Sequence, residues 1–370
     1  MQKYANFILS ECIYIQPQDK LLIWCAIQIK QFAEIVAANA KMFCKVVDIY
    51  YFDSISQSNT IEKLSQYENE RYKCLWLYAP TPNFSMPKLK WTLCCVPTQS
   101  WAKKVYATNN SNDNSKSSQK ALSKMWDAVI NFCRIPYGKQ NRYTKDSWSN
   151  HIQQLCDRAK TLSDHSFANI HLFNHSGTDI KIELPINHIW TTCTIHTNQK
   201  IYATNIPTEE VFTSPLKNGV NGLVYSTKPM LYEDNIIDNF WLQFCKGKVI
   251  NFDAKQGKKY LSKILQTKNG NYLGEIALVS QQNPLAKQDK FWYDTSIDEN
   301  FSSHLALGNA YTSALPKDTN LTTSPQPIIN KSSIHYDFMI GSNSLNAIGI
   351  TKDNQPINIM QNGQFVGKFL

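Results

Sequence analysis

The sequence predicts an α/β chain in two parts: an N-terminal α/β domain on a mostly parallel sheet over residues 1–165, then a larger, β-rich α+β domain over 166–370. Three observations carry this reading. Apolar runs of strand length alternate with helically spaced ones through the first third of the chain, the signature of βαβ units. Two amphipathic helical patterns then fill the middle. From about residue 167 the apolar period becomes two, that of half-buried strands.

In "MQKYANFILSEC", Tyr4, Phe7, Ile8 and Cys12 fit one face of a helix, and the stretch lacks the apolar region of a signal peptide. "KLLIWCAI" (20–27) reads as a buried strand, and Phe32, Ile35, Val36 and Ala40 follow with helical spacing. "KVVDIYYF" (45–52), "CLWLYAP" (74–80) and "WTLCCVPT" (91–98) are further strands. None is followed by a glycine-rich phosphate loop, so a Rossmann cofactor is not expected. "TNNSNDNSKSSQ" (108–119), polar and aperiodic, reads as a loop. Leu122, Met125, Trp126, Val129, Ile130 and Cys133 then mark one helix. Asp146 is placed to cap a second, whose stripe is Trp148, Ile152, Leu155, Ala159 and Leu162. Both stripes read as core packing. "FANIHLFNHSGTDIKIELP" alternates Ile170, Leu172, Ile180, Ile182 and Leu184 around an "NHSG" turn, which predicts a hairpin. The strand-like segments "GLVYST", "GKVINFDA", "GEIALVS", "IHYDFMIG" and "INIMQNGQFV" follow, with "GKKYLSKILQTK" as a helix packed on them.

Composition excludes several classes. A 42% hydrophobic fraction with 12% aromatics is that of a folded globular protein. The net charge of +9 is scattered, and arginine occurs only at 71, 134, 142 and 158, so no nucleic-acid footprint is expected. "LLIWCAI", the longest wholly apolar run, is too short to cross a bilayer, so no membrane partner is expected. The ten cysteines form no CxxC pair, and several lie in apolar runs. That suits a reducing compartment and a cytoplasmic protein.

The informative anomalies are acidic and imidazole groups in apolar, strand-like contexts. "IHYDFMIGS" (334–342) puts His335 and Asp337 on one face of a strand, opposite Ile334, Tyr336 and Phe338. "NIPTEEVFTSP" carries Glu209 and Glu210, which would face opposite ways on a strand. "LGEIALVS" sets Glu275 among apolar neighbours, and "SSHLALGNAY" does the same for His304. Each segment alone has a plain explanation: a satisfied polar pair, an edge-strand charge, an exposed turn or an ordinary core histidine. Together they point elsewhere. Buried carboxylates beside histidines become tolerable around divalent cations, which supply compensating charge. Oxygen and imidazole donors without thiolate suit zinc, cobalt or manganese, and more than four ligands exceed one tetrahedral zinc. A two-metal site is the expectation.

The segments "NIPTEEVFTSP", "LGEIALV", "DEN…HLALG" and "HYDFMIGS", in that order, resemble the thermophilic-type metallo-aminopeptidases, the M29 peptidase family. "QKYANFIL", "VPTQSWAKKVY", "SGTDI" and "NGQFVG" extend the resemblance more weakly over almost the whole chain. The resemblance implies metal ligands at Glu210, Glu275, His304, His335 and Asp337, and an active-site tyrosine at Tyr311. It implies two divalent ions (Zn, Co or Mn) and a metal-activated water that releases N-terminal residues from short peptides, with Glu210 or Glu275 relaying a proton. The partners implied are peptides with a free N-terminus and a second copy in a homodimer. A dipeptidase or amidase on the same scaffold is the alternative activity, and a non-enzymatic basic binding protein the alternative of another class. One departure stands out: Phe301 follows "DEN", where the family has small residues. The N-terminal domain is also more divergent, with shorter loops.

Overall fold

The computed structural model describes residues 1–52, 72–78, 90–106, 114–138, 143–196, 200–316 and 329–370. The chain divides into two compact units, Met1–Gln153 with Cys193–Thr208, and Gln154–Thr192 with Glu209–Leu370.

The first unit is built on a five-stranded sheet in the order Val46–Phe52, Lys20–Ala26, Tyr72–Tyr78, Lys90–Cys95, Asn205–Ile206, and every pairing in it is parallel. Such a sheet needs cover on both faces, which is why the interior strand "KLLIWCA" is a continuous apolar run instead of an alternating one. The helix Lys30–Ala40 makes the first crossover and buries Phe32, Ala33, Val36, Ala37 and Ala40. The N-terminal helix Gln2–Phe7 continues as a π-helical turn, Ile8–Cys12. Tyr4 packs on Phe32 and donates its hydroxyl to Cys95 O at 3.0 Å, so a fully buried phenol keeps its hydrogen bond. Cys94 and Cys95 are both buried, as adjacent residues of a strand covered on both sides must be.

Two expectations need correction or limits here. The loop read over 108–119 is half helix, because the helix Asn114–Phe132 begins inside it; residues 108–113 lie outside those described. The apolar stripe farther along favours the helix, and propagation extends it backward into a segment whose sequence carries no apolar stripe of its own. Of "CLWLYAP", the strand ends at Tyr78, and 79–80 are outside the described residues. The second amphipathic pattern is the helix Ser147–Asp164, and all five stripe residues are buried.

The second unit holds a nine-stranded antiparallel sheet in the order Met230–Tyr232, Asn235–Cys245, Val220–Tyr225, Asp179–Glu183, Asn169–Phe173, Asn346–Ile350, Pro356–Gln361, Gln364–Phe365, with Lys248–Gln256 also paired to Asn235–Cys245. The expected hairpin forms: Ile170 pairs with Ile182 and Leu172 with Ile180, and all four are fully buried. Asn174 Oδ1 accepts the N–H groups of Ser176 and Thr178, which closes the turn. "INIMQNGQFV", read as one strand-like stretch, folds back on itself instead. Asn362 and Gly363 both take positive φ (51° and 73°), the backbone of a tight hairpin turn.

A separate four-stranded antiparallel sheet, Val211–Thr213, Leu273–Leu278, His304–Gly308, His335–Met339, lies in the same unit. Leu273 pairs with Leu307 but Glu275 with Ala306, so Gly274 is the extra residue of a bulge. The bulge resets the alternation. Leu273 keeps to the same side as Ile276 and Leu278, while Glu275 turns to the opposite one. Only glycine fits there, because a Cβ on Gly274 would lie 2.1 Å from Asn309 O. Gly274→Ala should therefore force the backbone apart and destabilise the protein by at least about 2 kcal/mol, a typical overpacking cost. A drop in the guanidinium unfolding midpoint checks this; an unchanged midpoint would mean that the bulge relaxes freely.

Candidate metal centre

The register of the four-stranded sheet dictates what meets on its faces. Residues directly opposite one another in an antiparallel pair share a face. Glu275 is opposite Ala306, which is opposite Asp337; Gly308 is opposite His335, and Ala277 is opposite His304. Phe212 is opposite Ala277, so Glu210, two residues earlier, continues the same side. Glu210, Glu275, His304, His335 and Asp337 therefore converge, and Ala277 and Ala306 leave room between them. Ile276, Leu278, Leu305, Leu307 and Phe338 take the other face and are buried. The alternation seen in "IHYDF" is thus one row of a pattern that four strands share.

The distances are short. His304 Nε2 lies 3.1 Å from Glu210 Oε2 and 3.3 Å from Glu275 Oε1, and His335 Nε2 lies 3.2 Å from Asp337 Oδ1. Glu210, Glu275, Asp337 and His304 are all buried. The exposed-turn reading of Glu210 and the edge-strand reading of Glu275 both fall, since the Leu273–Leu278 strand is paired on both sides.

Each histidine is held by its other nitrogen. His304 Nδ1 bonds Ser302 O at 3.2 Å, and His335 Nδ1 bonds Asn309 O at 2.7 Å. A carbonyl can only accept, so Nδ1 carries the proton and Nε2 faces the carboxylates, the orientation in which imidazole binds a metal. Among the described residues, His304 Nε2 and Asp337 Oδ1 are buried without a hydrogen bond of good geometry. Two sets of donor atoms lie within 4.8 Å of one another: Glu210, Glu275 and His304, and Glu275, His335 and Asp337. Glu275 belongs to both. These oxygen and imidazole donors are of the kind that holds divalent cations.

Crowding shifts the titrations. Burial works against the charged form of His335, but the charge of the Asp337 carboxylate 3.2 Å away, with Glu275 behind, raises it to about 9. Burial also opposes charging of His304, yet Glu210 and Glu275 lift it well above the ordinary imidazole range. Burial raises the Glu275 carboxyl, and the neighbouring Glu210 raises it further. Asp337 is desolvated too, but His335 and His304 hold it below the usual carboxylate range.

Sequence reasoning missed Glu299. Burial, then the charges of Glu210 and Asp337, push its carboxyl well above its normal value, although it belongs to neither donor set. The signal was the "DEN" triplet ahead of His304, noted as a motif and given no role. Glu209 is as buried as Glu210 but is held differently: its N–H donates to Asn300 Oδ1 at 2.6 Å, and its charge supports that of Arg158. Arg158 itself stacks on Phe365 and donates from Nε to Phe369 O at 2.7 Å. Tyr311 is 45% exposed, and its ring centroid lies 4.8 Å from that of His335. Phe301, the departure after "DEN", is buried beneath the ammonium of Lys228, 4.5 Å from its ring centroid.

A family model described as thermophilic metalloprotease (M29) matches residues 62–365. Aminopeptidase AmpS of Bacillus subtilis is 35% identical over 282 residues, covering 75% of this chain and 66% of that protein. Aminopeptidase T of Thermus aquaticus is 30% identical over 278 residues, covering 75% and 65%. The chain thus matches just under two thirds of the length of these relatives. The solved structure of wild-type AmpT from Thermus thermophilus shares the fold, with a TM-score of 0.83 at 22% identity, over 99% of this chain and 98% of that one.

The titrations make a prediction for protein stripped of metal. A histidine raised from about 6.5 to about 9 adds stability that is fully present below the lower value and lost as pH rises through the higher. Glu275 and Glu299, also raised, act in the same direction at lower pH, while Asp337 acts oppositely in acid. The melting temperature of chelator-treated protein should fall between about pH 6.5 and 9, and a divalent cation should flatten that fall. A flat profile without metal would show that protons do not neutralise the cluster.

Proposed function

The chain belongs to the thermophilic metalloprotease (M29) family, and on that premise we propose that it is a dinuclear metal-dependent aminopeptidase acting on short peptides. The observation that carries the reading is the pair of donor clusters sharing Glu275. Glu210, Glu275 and His304 would hold one ion and Glu275, His335 and Asp337 the other, with Glu275 common to both. Zinc, cobalt and manganese suit these donors. When bound, the ions would supply Lewis acidity toward the scissile carbonyl and lower the pKa of a water.

The remaining work falls to side chains of this chain. The Nδ1–H bonds to Ser302 O and Asn309 O fix the two imidazoles, so neither ring needs to reorganise during turnover. Glu299, half-buried, outside both donor clusters and with a raised affinity for protons, would take a proton from the attacking water and return it to the leaving amine. Acidic groups also suit recognition of the substrate's ammonium. Tyr311, exposed and with its ring centroid 4.8 Å from that of His335, would donate its hydroxyl hydrogen to the oxyanion that develops on the carbonyl.

The reading extends to setting. Ten free cysteines, seven of them buried, suit a reducing cytoplasm, and no helix among the described residues is long and apolar enough to cross a membrane. A homodimer is proposed from the family resemblance.

Two outcomes test the function. With Co2+ or Zn2+ restored, aminoacyl reporter substrates bearing a free amine should be cleaved and their N-acetylated counterparts should not; equal cleavage of both would make the protein an amidase. Tyr311→Phe removes one hydroxyl and keeps the ring. It should leave metal content and KM near wild type and lower kcat about a hundredfold or more, as for a donor used mainly in the transition state. Unchanged kcat would return Tyr311 to a packing role.

A further inference from the structure

The peptide that carries Glu210 has an unusual support. Residues 208–210 precede the strand Val211–Thr213, so the N–H of Glu209 has no sheet partner in that strand's ladder. It is met instead by Asn300 Oδ1 at 2.6 Å, and Asn300 is fully buried. The same amide donates from Nδ2 to Ser296 O at 3.0 Å, with Glu299 Oε1 3.5 Å away. One planar group therefore spans the segment that presents Glu210 and the turn that presents Glu299. The backbone of Asn300 is itself braced, because its main-chain carbonyl accepts from Asn283 Nδ2 at 3.3 Å, and Asn283 Oδ1 takes the N–H groups of Leu285 and Ala286.

A buried N–H with no partner would turn to find one. The carbonyl of the Thr208–Glu209 peptide, Thr208 O, accepts from His151 Nε2 at 2.8 Å, so with Asn300 both sides of the peptide are held. Freeing its N–H would let φ at Glu209 change and redirect the chain toward Glu210, whose carboxylate now lies 3.1 Å from His304. Tolerances around a metal are a few tenths of an ångström, so a ligand on irregular backbone needs an external brace. We propose that Asn300 is a positioning residue for the metal centre: its Oδ1, by holding the Glu209 N–H, sets where Glu210 stands relative to Glu275 and His304. The inference rests on the two-metal reading above and adds a determinant of metal affinity that makes no contact with the metal.

The test uses the full chain, metal-free, titrated with Co2+ by calorimetry and followed by visible absorption, which reports the ligand geometry directly. Asn300→Ser is too short to reach the Glu209 N–H. It should weaken Co2+ binding by roughly 10–100-fold, the usual effect of losing a group that orients a ligand, and alter the absorption bands. Asn300→Asp keeps the acceptor for the Glu209 N–H but gives up the Nδ2 bond to Ser296 O, and should lose less than the serine variant, under about tenfold. Melting of each metal-free variant separates positioning from fold support, because a purely structural asparagine would lower the melting temperature and leave the affinity of the folded protein intact. Wild-type affinity and bands in folded Asn300→Ser would overturn the inference, and so would Asn300→Asp as weak as the serine variant. If Asn300→Ser does not fold, Asn300→Asp decides alone, a loss of tenfold or more counting against the proposal. Wild-type protein that takes up no Co2+ would instead overturn the metal reading itself.

Discussion

Electrostatic crowding governs the second unit. Glu210, Glu275 and Asp337 crowd together, with Glu299 coupled to them electrostatically, and among the described residues two imidazoles, His304 and His335, answer them. Water is shut out from most of this space, so the charges must be neutralised within it. Protons do so partially, which is why two carboxyls and both histidines bind them more tightly than they would in solution. Divalent cations would do so fully. An arrangement of this kind is destabilising by itself and persists because the rest of the sheet holds it in place, a cost commonly concentrated where chemistry is done.

What holds it is the reverse side of the same strands. Ile276, Leu278, Leu305, Leu307 and Phe338 fix the sheet by apolar burial, and the register they impose fixes the polar face without further choice. The Gly274 bulge reconciles the two requirements by letting Leu273 and Glu275 both face where their chemistry demands. Alanine at 277 and 306 then keeps the space open.

Much of this was legible in the chain because both signals are local. The parallel strands announce themselves as unbroken apolar runs, and the hairpin at "NHSG" by alternation around turn residues. The five proposed ligands stand out as charges in apolar surroundings, although only a family resemblance said which glutamate of "TEE" to choose. What escaped was encoded elsewhere. Glu299 and Asn300 lie in a polar stretch where an acid and an amide are unremarkable, and only the fold brings them to Glu210. Nothing local tells that "TIHTNQKIYATNIP" adds strands beside residues 1–153, since its edge pairing with Lys90–Cys95 is decided by chain far away. The polar start of the helix at Asn114 has no apolar face of its own and borrows its conformation from the turns that follow.

The wide spacing of the segments that carry the proposed ligands also bears on the order of assembly. Glu210, Glu275, His304 and His335 come from four separate strands or strand approaches, so no short piece of chain contains either donor cluster whole. Pairings between distant segments form late, because loop closure must precede their reward. The nascent chain can offer a cation little beyond the His335 and Asp337 pair. A cation held by either donor cluster would therefore report that the sheet has closed, because neither set of donors exists before its strands pair.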